Sequence, residues 1–236
     1  MTSSDGKYNV KVTWLGRAAF KIISPEGKII YIDPWLKENP LCPPDYKDIA
    51  KLRADLICFT HTHVDHLGDT VELAKLTGAK IVVMVDLSQG LVQQGVDPGQ
   101  LVRLSYGGTD QIDGVAASLV PAWHIPSAAG VVLGFSSGFK LYHAGDTNLY
   151  LDMSLIKTLY SPQLALIPIG GIFTMDDYAA SLACRDYIQP QYAIPMHYPA
   201  RSIASASTEC AESFKKHLQG SNTKVIILQP GETANF

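Results

Sequence analysis

Leu56-Ile57-Cys58-Phe59-Thr60-His61-Thr62-His63-Val64-Asp65-His66-Leu67-Gly68-Asp69 joins a continuous apolar run to a loop that places three of the chain's seven histidines and a carboxylate within six residues. An apolar run of that length predicts a strand buried on both faces. Residues 69–76 then predict a helix, with Val71, Leu73, Ala74 and Leu76 apolar and Gly78 as its stop. The histidines therefore fall where a buried strand ends, the position at which open α/β sheets gather ligands. In extended backbone His61 and His63 point to the same side and suit one cation. Asp65 and His66 follow in the turn and reach a second. Imidazole nitrogen with carboxylate oxygen is a donor set for borderline divalent metals. The competing reading, a polar loop of capping residues, demands a coincidence of four such residues at this spacing.

Outward from this segment the apolar period changes twice. Residues 10–14, 19–23 and 28–32 are short runs rich in β-branched and aromatic residues, and Pro25-Glu26-Gly27 predicts a hairpin turn. Asp33-Pro34 ends the third run. Beyond the motif, residues 81–85 predict another buried strand and 88–94 a short helix. Residues 101–143 return to strands separated by Gly-Gly, Asp-Gly and Ser-Gly turns. Helices are expected at 151–159, 175–188 (with Thr174 as N-cap and Asp177 in the box position) and 208–218, and strands at 164–169, 192–196 and 225–228. Nothing in this pattern divides the chain. It predicts one α/β domain over residues 1–236, a four-layer αββα sandwich of two facing sheets with helices outside.

Three further residues occupy strand ends in the same way: His124 after the run ending at Trp123, Asp146 in His143-Ala144-Gly145-Asp146-Thr147, and His197 after Ala193-Ile194-Pro195-Met196. Gly145 allows close backbone approach there. Asp176-Asp177 reads as helix capping, His217 as a solvated residue on a polar helix face, and Trp14, Trp35 and Trp123 as core, with Trp35 placed to flank a cleft.

His61-x-His63-x-Asp65-His66 followed by His124, Asp146 and His197 in that order resembles the metallo-β-lactamase superfamily of binuclear metal hydrolases, over nearly the whole chain. Gly68-Asp69-Thr70-Val71-Glu72-Leu73-Ala74-Lys75, Tyr142-His143-Ala144-Gly145-Asp146-Thr147, Pro168-Ile169-Gly170, Phe173-Thr174-Met175 and Pro195-Met196-His197-Tyr198 resemble a family of small, largely uncharacterised metal-dependent hydrolases within it, related to the ascorbate-6-phosphate lactonases. The resemblance implies that His61, His63 and His124 hold one metal, that Asp65, His66 and His197 hold a second, and that Asp146 bridges them. It also implies that Asp33 orients ligands from behind. Asp69, His143, Tyr198, Arg17 and Arg201 are further candidates for supporting the site or meeting substrate, with His143 and Tyr198 either donating a proton or serving as hydrogen-bonded strand residues. The chain departs from the family pattern at Gly16-Arg17-Ala18, where relatives often carry histidine, at Ile172, where a polar residue usually stands, and at Pro199-Ala200-Arg201 in place of Asn-Thr.

The expected cofactor is a pair of divalent ions, zinc first, with manganese, nickel or iron(II) as alternatives. A metal-bridging hydroxide attacking a small anionic ester, lactone or phosphoester is the expected chemistry, with Asp65 and Asp146 as catalytic carboxylates. A phosphodiesterase acting on a cyclic nucleotide or phospholipid headgroup is an alternative, and an iron-binding redox or metal-sensing protein is one of another class. The 19 basic and 22 acidic residues leave a net charge of −3, which excludes a global basic field for nucleic acid or an anionic membrane. The four cysteines contain no CxxC pair, and no run approaches the ~18 apolar residues of a membrane span. Residues 1–7 are polar and the first apolar stretch is broken by Lys11, Arg17 and Lys21, so a cytoplasmic protein is expected, with homo-oligomerisation left open.

Overall fold

Alternation along the strands decides how the layers stack. The computed structural model describes residues 6–199 and 208–236. Strands β1 (Lys11–Trp14), β2 (Phe20–Ile23) and β3 (Ile29–Ile32) form an antiparallel meander. β4 (Leu56–Cys58) lies parallel to β3, and after α1 (Val64–Leu67) and α2 (Thr70–Thr77) come β5 (Lys80–Met84), α3 (Ser88–Gln93) and β6 (Leu101–Leu104), again parallel. A second meander follows: β7 (Thr109–Ile112), β8 (Val115–Pro121), β9 (Ala129–Gly134) and β10 (Lys140–His143). The chain then alternates α4 (Ser154–Tyr160), β11 (Leu164–Pro168), α5 (Asp177–Leu182), β12 (Tyr192–Met196), α6 (Glu209–His217), β13 (Lys224–Val225) and β14 (Thr233–Asn235). The first sheet has the order β14-β1-β2-β3-β4-β5-β6 and the second β13-β12-β11-β10-β9-β8-β7.

Because side chains alternate across a strand, β3, β4 and β5 of the first sheet each contribute to two cores. Ile30, Ile32, Leu56, Cys58 and Val82 join Leu119, Val131, Leu133, Leu141, Leu166 and Ile194 of the second sheet in one buried cluster. Their neighbours Tyr31, Ile57, Ile81 and Val83 face the other way and pack with Leu73 and Ala74 of α2 and Leu91 of α3. Helices α4 to α6 supply Ile156, Ala180, Ala211 and Phe214 to the larger cluster. This is the αββα sandwich expected from the sequence.

Several local expectations need correction. The helix after Met175 is capped not by Thr174 but by Asp176, whose side chain accepts from the Ala179 amide at 2.7 Å, which leaves Asp177 as the first helical residue. Thr174 is buried and its hydroxyl donates to the Met175 carbonyl. The helix continues as a π-helical segment, Ala183–Ile188. Of the strand expected at 225–228 only Val225 lies in β13 (Lys224–Val225), which pairs with β12. β14 was not anticipated, because three residues carry too little periodicity. It pairs with β1, and Phe236 beyond it is buried against Phe139 and Tyr192. Trp123, expected in the core, is 67% exposed.

β1, β3 and β4 run in one direction, as do β8, β10 and β12. Arg17, Asp33 and His61 follow the first three strands. His124, Asp146 and His197 follow the second three.

Candidate metal centre

Arg17, Asp33, His61, His124, Asp146 and His197 follow strand ends, where the ladder stops and backbone can turn inward, and Asp65 and His66 are carried by the short helix α1 that follows β4. Arg17, Asp33 and His197 adopt φ of 54°, 48° and 56°, a left-handed geometry that non-glycine residues seldom take and that clusters at functional sites. Two glycines let the loops close. A Cβ on Gly145, at φ 63°, would lie 2.7 Å from the Ala129 carbonyl oxygen and 3.0 Å from the Thr60 Cβ. A Cβ on Gly68 would lie 2.5 Å from the Trp35 Cα.

The residues converge as two groups. His61, His63, His124 and Asp146 form one, Asp65, His66 and His197 the other, and within each group the ligand atoms lie within 4.8 Å of one another. In the first, His61 Nε2 and His124 Nε2 face His63 Nδ1 at 2.9 and 3.3 Å. In the second, His197 Nε2 is 3.3 Å and His66 Nε2 3.9 Å from Asp65 Oδ2. Asp146 touches both: Oδ1 lies 3.3 Å from His66 Nε2 and 3.4 Å from His197 Nε2, and Oδ2 lies 3.7 Å from His124 Nε2.

Behind the groups, hydrogen bonds set which ring nitrogen faces inward. Asp33 Oδ1 accepts from the Thr60 amide at 2.7 Å, and Oδ2 accepts from the Thr60 hydroxyl at 2.8 Å. Oδ2 also lies 2.7 Å from His66 Nδ1, so that nitrogen carries a proton. The Thr60 hydrogen being spent on Asp33, His61 Nδ1, 3.0 Å from Thr60 Oγ1, is assigned as donor, and its Nε2 lone pair faces the centre. Thr147 ties the other side together: its hydroxyl oxygen accepts from the Trp123 amide, and the Asn148 amide donates to the Trp123 carbonyl, so the loops bearing His124 and Asp146 are joined to each other.

Electrostatics divides the histidines. Burial opposes a charge on His66, but the carboxylates of Asp146 and Asp33 outweigh it and raise its pKa well above the ordinary imidazole value. Burial, with His66 beside it, pushes His61 down to about 3, so it is a neutral donor at physiological pH. Burial acts against the ionised Asp146, yet His66 and His197 hold it far below the usual carboxylate range.

The residues present fit metal ions. His66 Nε2 and Asp146 Oδ1 are buried and lie 3.3 Å apart, yet neither makes a hydrogen bond, to the other or to any other atom of the described residues. An unsatisfied pair of buried polar atoms is costly unless something else satisfies it. Five imidazoles and two carboxylates aimed at one another are a donor set for first-row divalent cations.

The supporting candidates divide by position. Asp69 is buried away from the ligands, and its Oδ2 accepts from the Leu36 and Lys37 amides at 2.7 and 3.0 Å, fixing the loop that carries Trp35. His143 is wholly buried: its Nε2 donates to the Ala18 carbonyl at 2.9 Å and its Nδ1 accepts from the Gly145 amide, so it is a hydrogen-bonded strand residue with no path to substrate. Tyr198 is 2% exposed, stacked on Trp14 at 5.6 Å, with its phenol pushed up to about 12 by burial. Arg201 lies outside the described residues. Arg17 enters the site itself, with Nη2 2.9 Å from His197 Nε2 and 3.4 Å from Asp65 Oδ2. His217 is exposed on its helix, as expected, and also packs edge-on against Tyr178 at 5.4 Å and approaches Asp177 at 3.5 Å.

A cleft of about 470 Å³ opens over both groups, lined by Arg17, His63, Asp65, His124, Asp146 and His197 and walled by Trp35, Val64 and Phe173. Trp35 was legible as a cleft residue from its place after Asp33-Pro34. Val64 and Phe173 were not, since apolar residues are ordinarily core. Thr60, the hub behind the histidines, carried only the signal of a hydroxyl at the strand end.

A family model described as the Beta-lactamase superfamily domain matches residues 11–197. A "UPF0173 metal-dependent hydrolase" of Thermococcus onnurineus is 44% identical over 232 residues, covering 94% of this chain and 98% of the relative. One from Cupriavidus necator is 40% identical over 250 residues, covering 96% of this chain and 86% of the relative. Among solved structures, Igni18, described as a novel metallo hydrolase from the hyperthermophilic archaeon Ignicoccus hospitalis, matches with a TM-score of 0.83 at 35% identity, over 96% of this chain and 98% of that one.

Proposed function

The chain belongs to the metallo-β-lactamase superfamily as a metal-dependent hydrolase, and from that premise we propose that it holds two divalent cations, zinc first, and hydrolyses a small anionic ester, lactone or phosphoester in the cytoplasm. The observation that carries this reading is the pair of ligand groups on the floor of one cleft, with Asp146 reaching both. Divalent cations there would lower the pKa of bound water towards ~7 and polarise a carbonyl or phosphoryl group.

The chain's own residues set the rest. Asp146 spans the groups through its two oxygens. Asp65, on the cleft side of His66 and His197, is placed to orient the attacking water. Two divalent cations outweigh the charges of Asp65 and Asp146, and that surplus favours an anionic substrate. Trp35, Val64 and Phe173 give the cleft an apolar wall, which suits a small molecule with an apolar face. The two aromatic walls also favour a second reading, a cyclic-nucleotide phosphodiester stacked by its base. Among the described residues no helix is long and apolar enough to cross a membrane.

The test compares metal-reconstituted protein with Asp146→Ala on lactones and on model phosphodiesters, counting bound metal in parallel. Turnover with about two metals per chain, lost in the variant, supports the proposal and selects the substrate class. Full occupancy with oxygen consumption and no hydrolysis overturns the hydrolytic assignment in favour of iron redox chemistry.

A further inference from the structure

Arg17 contacts two of the ligand atoms that a second cation would use. Its backbone is held: the carbonyl accepts from the Trp14 indole at 2.9 Å and from the His197 amide at 3.2 Å, so the Cα is tied to the strand end that carries His197. Its side chain is 5% exposed, and its guanidinium reaches two members of the Asp65/His66/His197 group. Nη2 donates to His197 Nε2 at 2.9 Å and lies 3.4 Å from Asp65 Oδ2. A neutral imidazole nitrogen has one lone pair, and the lone pair that accepts from Arg17 cannot at the same time bind a metal. The other group meets no guanidinium among the described residues: the short contacts of its imidazoles run between its own ligands, His61 Nε2 to His63 Nδ1 at 2.9 Å and His124 Nε2 to His63 Nδ1 at 3.3 Å, and a cation entering there separates only these. Among the described residues, no lysine or arginine other than Arg17 lies within ion-pair distance of a ligand in either group.

We infer that Arg17 makes the two metal positions unequal, its guanidinium standing in the Asp65/His66/His197 position until a cation displaces it; this rests on the two-position reading above. The His61/His63/His124/Asp146 position fills first. The second fills only when Arg17 swings off His197 and Asp65, and it then binds a cation beside a fixed positive charge. The guanidinium is lightly held for a buried arginine. Among the described residues, Nε has no hydrogen-bond partner and Nη1 reaches only the Pro199 carbonyl, at 3.4 Å. The side chain also lines the cleft, so it has somewhere to go. Displaced into that cleft, it would face the substrate.

The test is a titration of metal-free protein with Zn²⁺ against a chromophoric chelator, repeated with Co²⁺ to follow each position by its absorption, in wild type, Arg17→Gln and Arg17→Ala. Wild type is expected to bind one ion tightly and a second at least about tenfold more weakly. In both variants the second affinity should rise by about tenfold or more while the first changes less than about twofold, and that unchanged first position also reports an intact fold. Two equal positions in wild type overturn the inference, as does a weak second position left unmoved in a variant whose first position is intact. Absence of a second ion from all three proteins overturns it together with the two-metal reading.

Discussion

Asp33 Oδ2 and His66 Nδ1 meet at 2.7 Å with both side chains closed off from solvent. The same carboxylate grips Thr60 through two further hydrogen bonds, so one buried anion fixes both the strand end and the outward nitrogen of His66. Asp33→Asn is the sharpest probe, because asparagine tolerates the left-handed backbone at φ 48°. With an amide donor facing it, His66 Nδ1 must accept, and the proton moves to Nε2, the atom aimed at the site. Metal affinity should fall about 10- to 100-fold with little change in folding. Competition titration with a chelator checks this, and unchanged affinity would sink the role assigned to Asp33.

Metal removal should destabilise the protein, since it leaves His66 Nε2 and Asp146 Oδ1 buried without partners. At free metal about 100-fold above Kd, binding contributes about 2.7 kcal/mol. For a chain of this length that corresponds to about 5–10 °C in Tm. Calorimetry with and without EDTA measures it, and equal transitions would argue against a preorganised site.

Gly145→Ala tests the close approach beside Asp146. The added methyl would meet the Ala129 carbonyl oxygen and Thr60, at φ 63°. Left-handed strain alone costs about 1–2 kcal/mol, so Tm should fall by at least about 2–4 °C. Because the displaced backbone carries Asp146, metal content should fall with it. A variant as stable and as metal-replete as wild type would refute the constraint.

Glu26 offers a pH-dependent prediction away from the metals. It accepts from the Ser136 amide at 2.9 Å, joining the β2–β3 turn to the β9–β10 turn. Slight burial works against its charge, but hydrogen bonds from Ser136 and Ser24 outweigh it and bring the pKa from 4.5 down to about 2. A depressed carboxylate contributes stability that is present above the unfolded pKa and lost as pH falls through the folded one. The difference in urea midpoint between wild type and Glu26→Gln should therefore be full at pH 6 and shrink below pH 4.5. The group is exposed, so the effect is small. A difference that grows on acidification would contradict it.

Much of the architecture could be read locally. The two-residue period of residues 28–32 and the unbroken run from Leu56 separate strands whose alternate side chains enter two cores, as Ile30 and Tyr31 do. The cap of α5 lies two residues beyond the expected one because the Thr174 hydroxyl and the Asp176 carboxylate can both accept from a helix N-terminus, and only the backbone path through Gly170 and Gly171 selects between them.

For the site, the sequence by itself determined the donor types and their attachment to strand ends, because spacing along a chain constrains what a strand-to-loop junction can present. The distances between those donors depend on how two sheets pack, and packing joins residues more than a hundred positions apart. Tertiary structure alone therefore decided that Asp146 reaches both groups, that His143 is spent on the Ala18 carbonyl, that Val64 and Phe173 wall the cleft, and that Arg17 lies against His197 rather than free in solvent. An arginine after Gly16 carries a charge that sequence can see. Its direction is set by two hydrogen bonds to its own carbonyl, a local one from the Trp14 indole and one from the His197 amide that exists only once the ends of β1 and β12, strands of different sheets, meet.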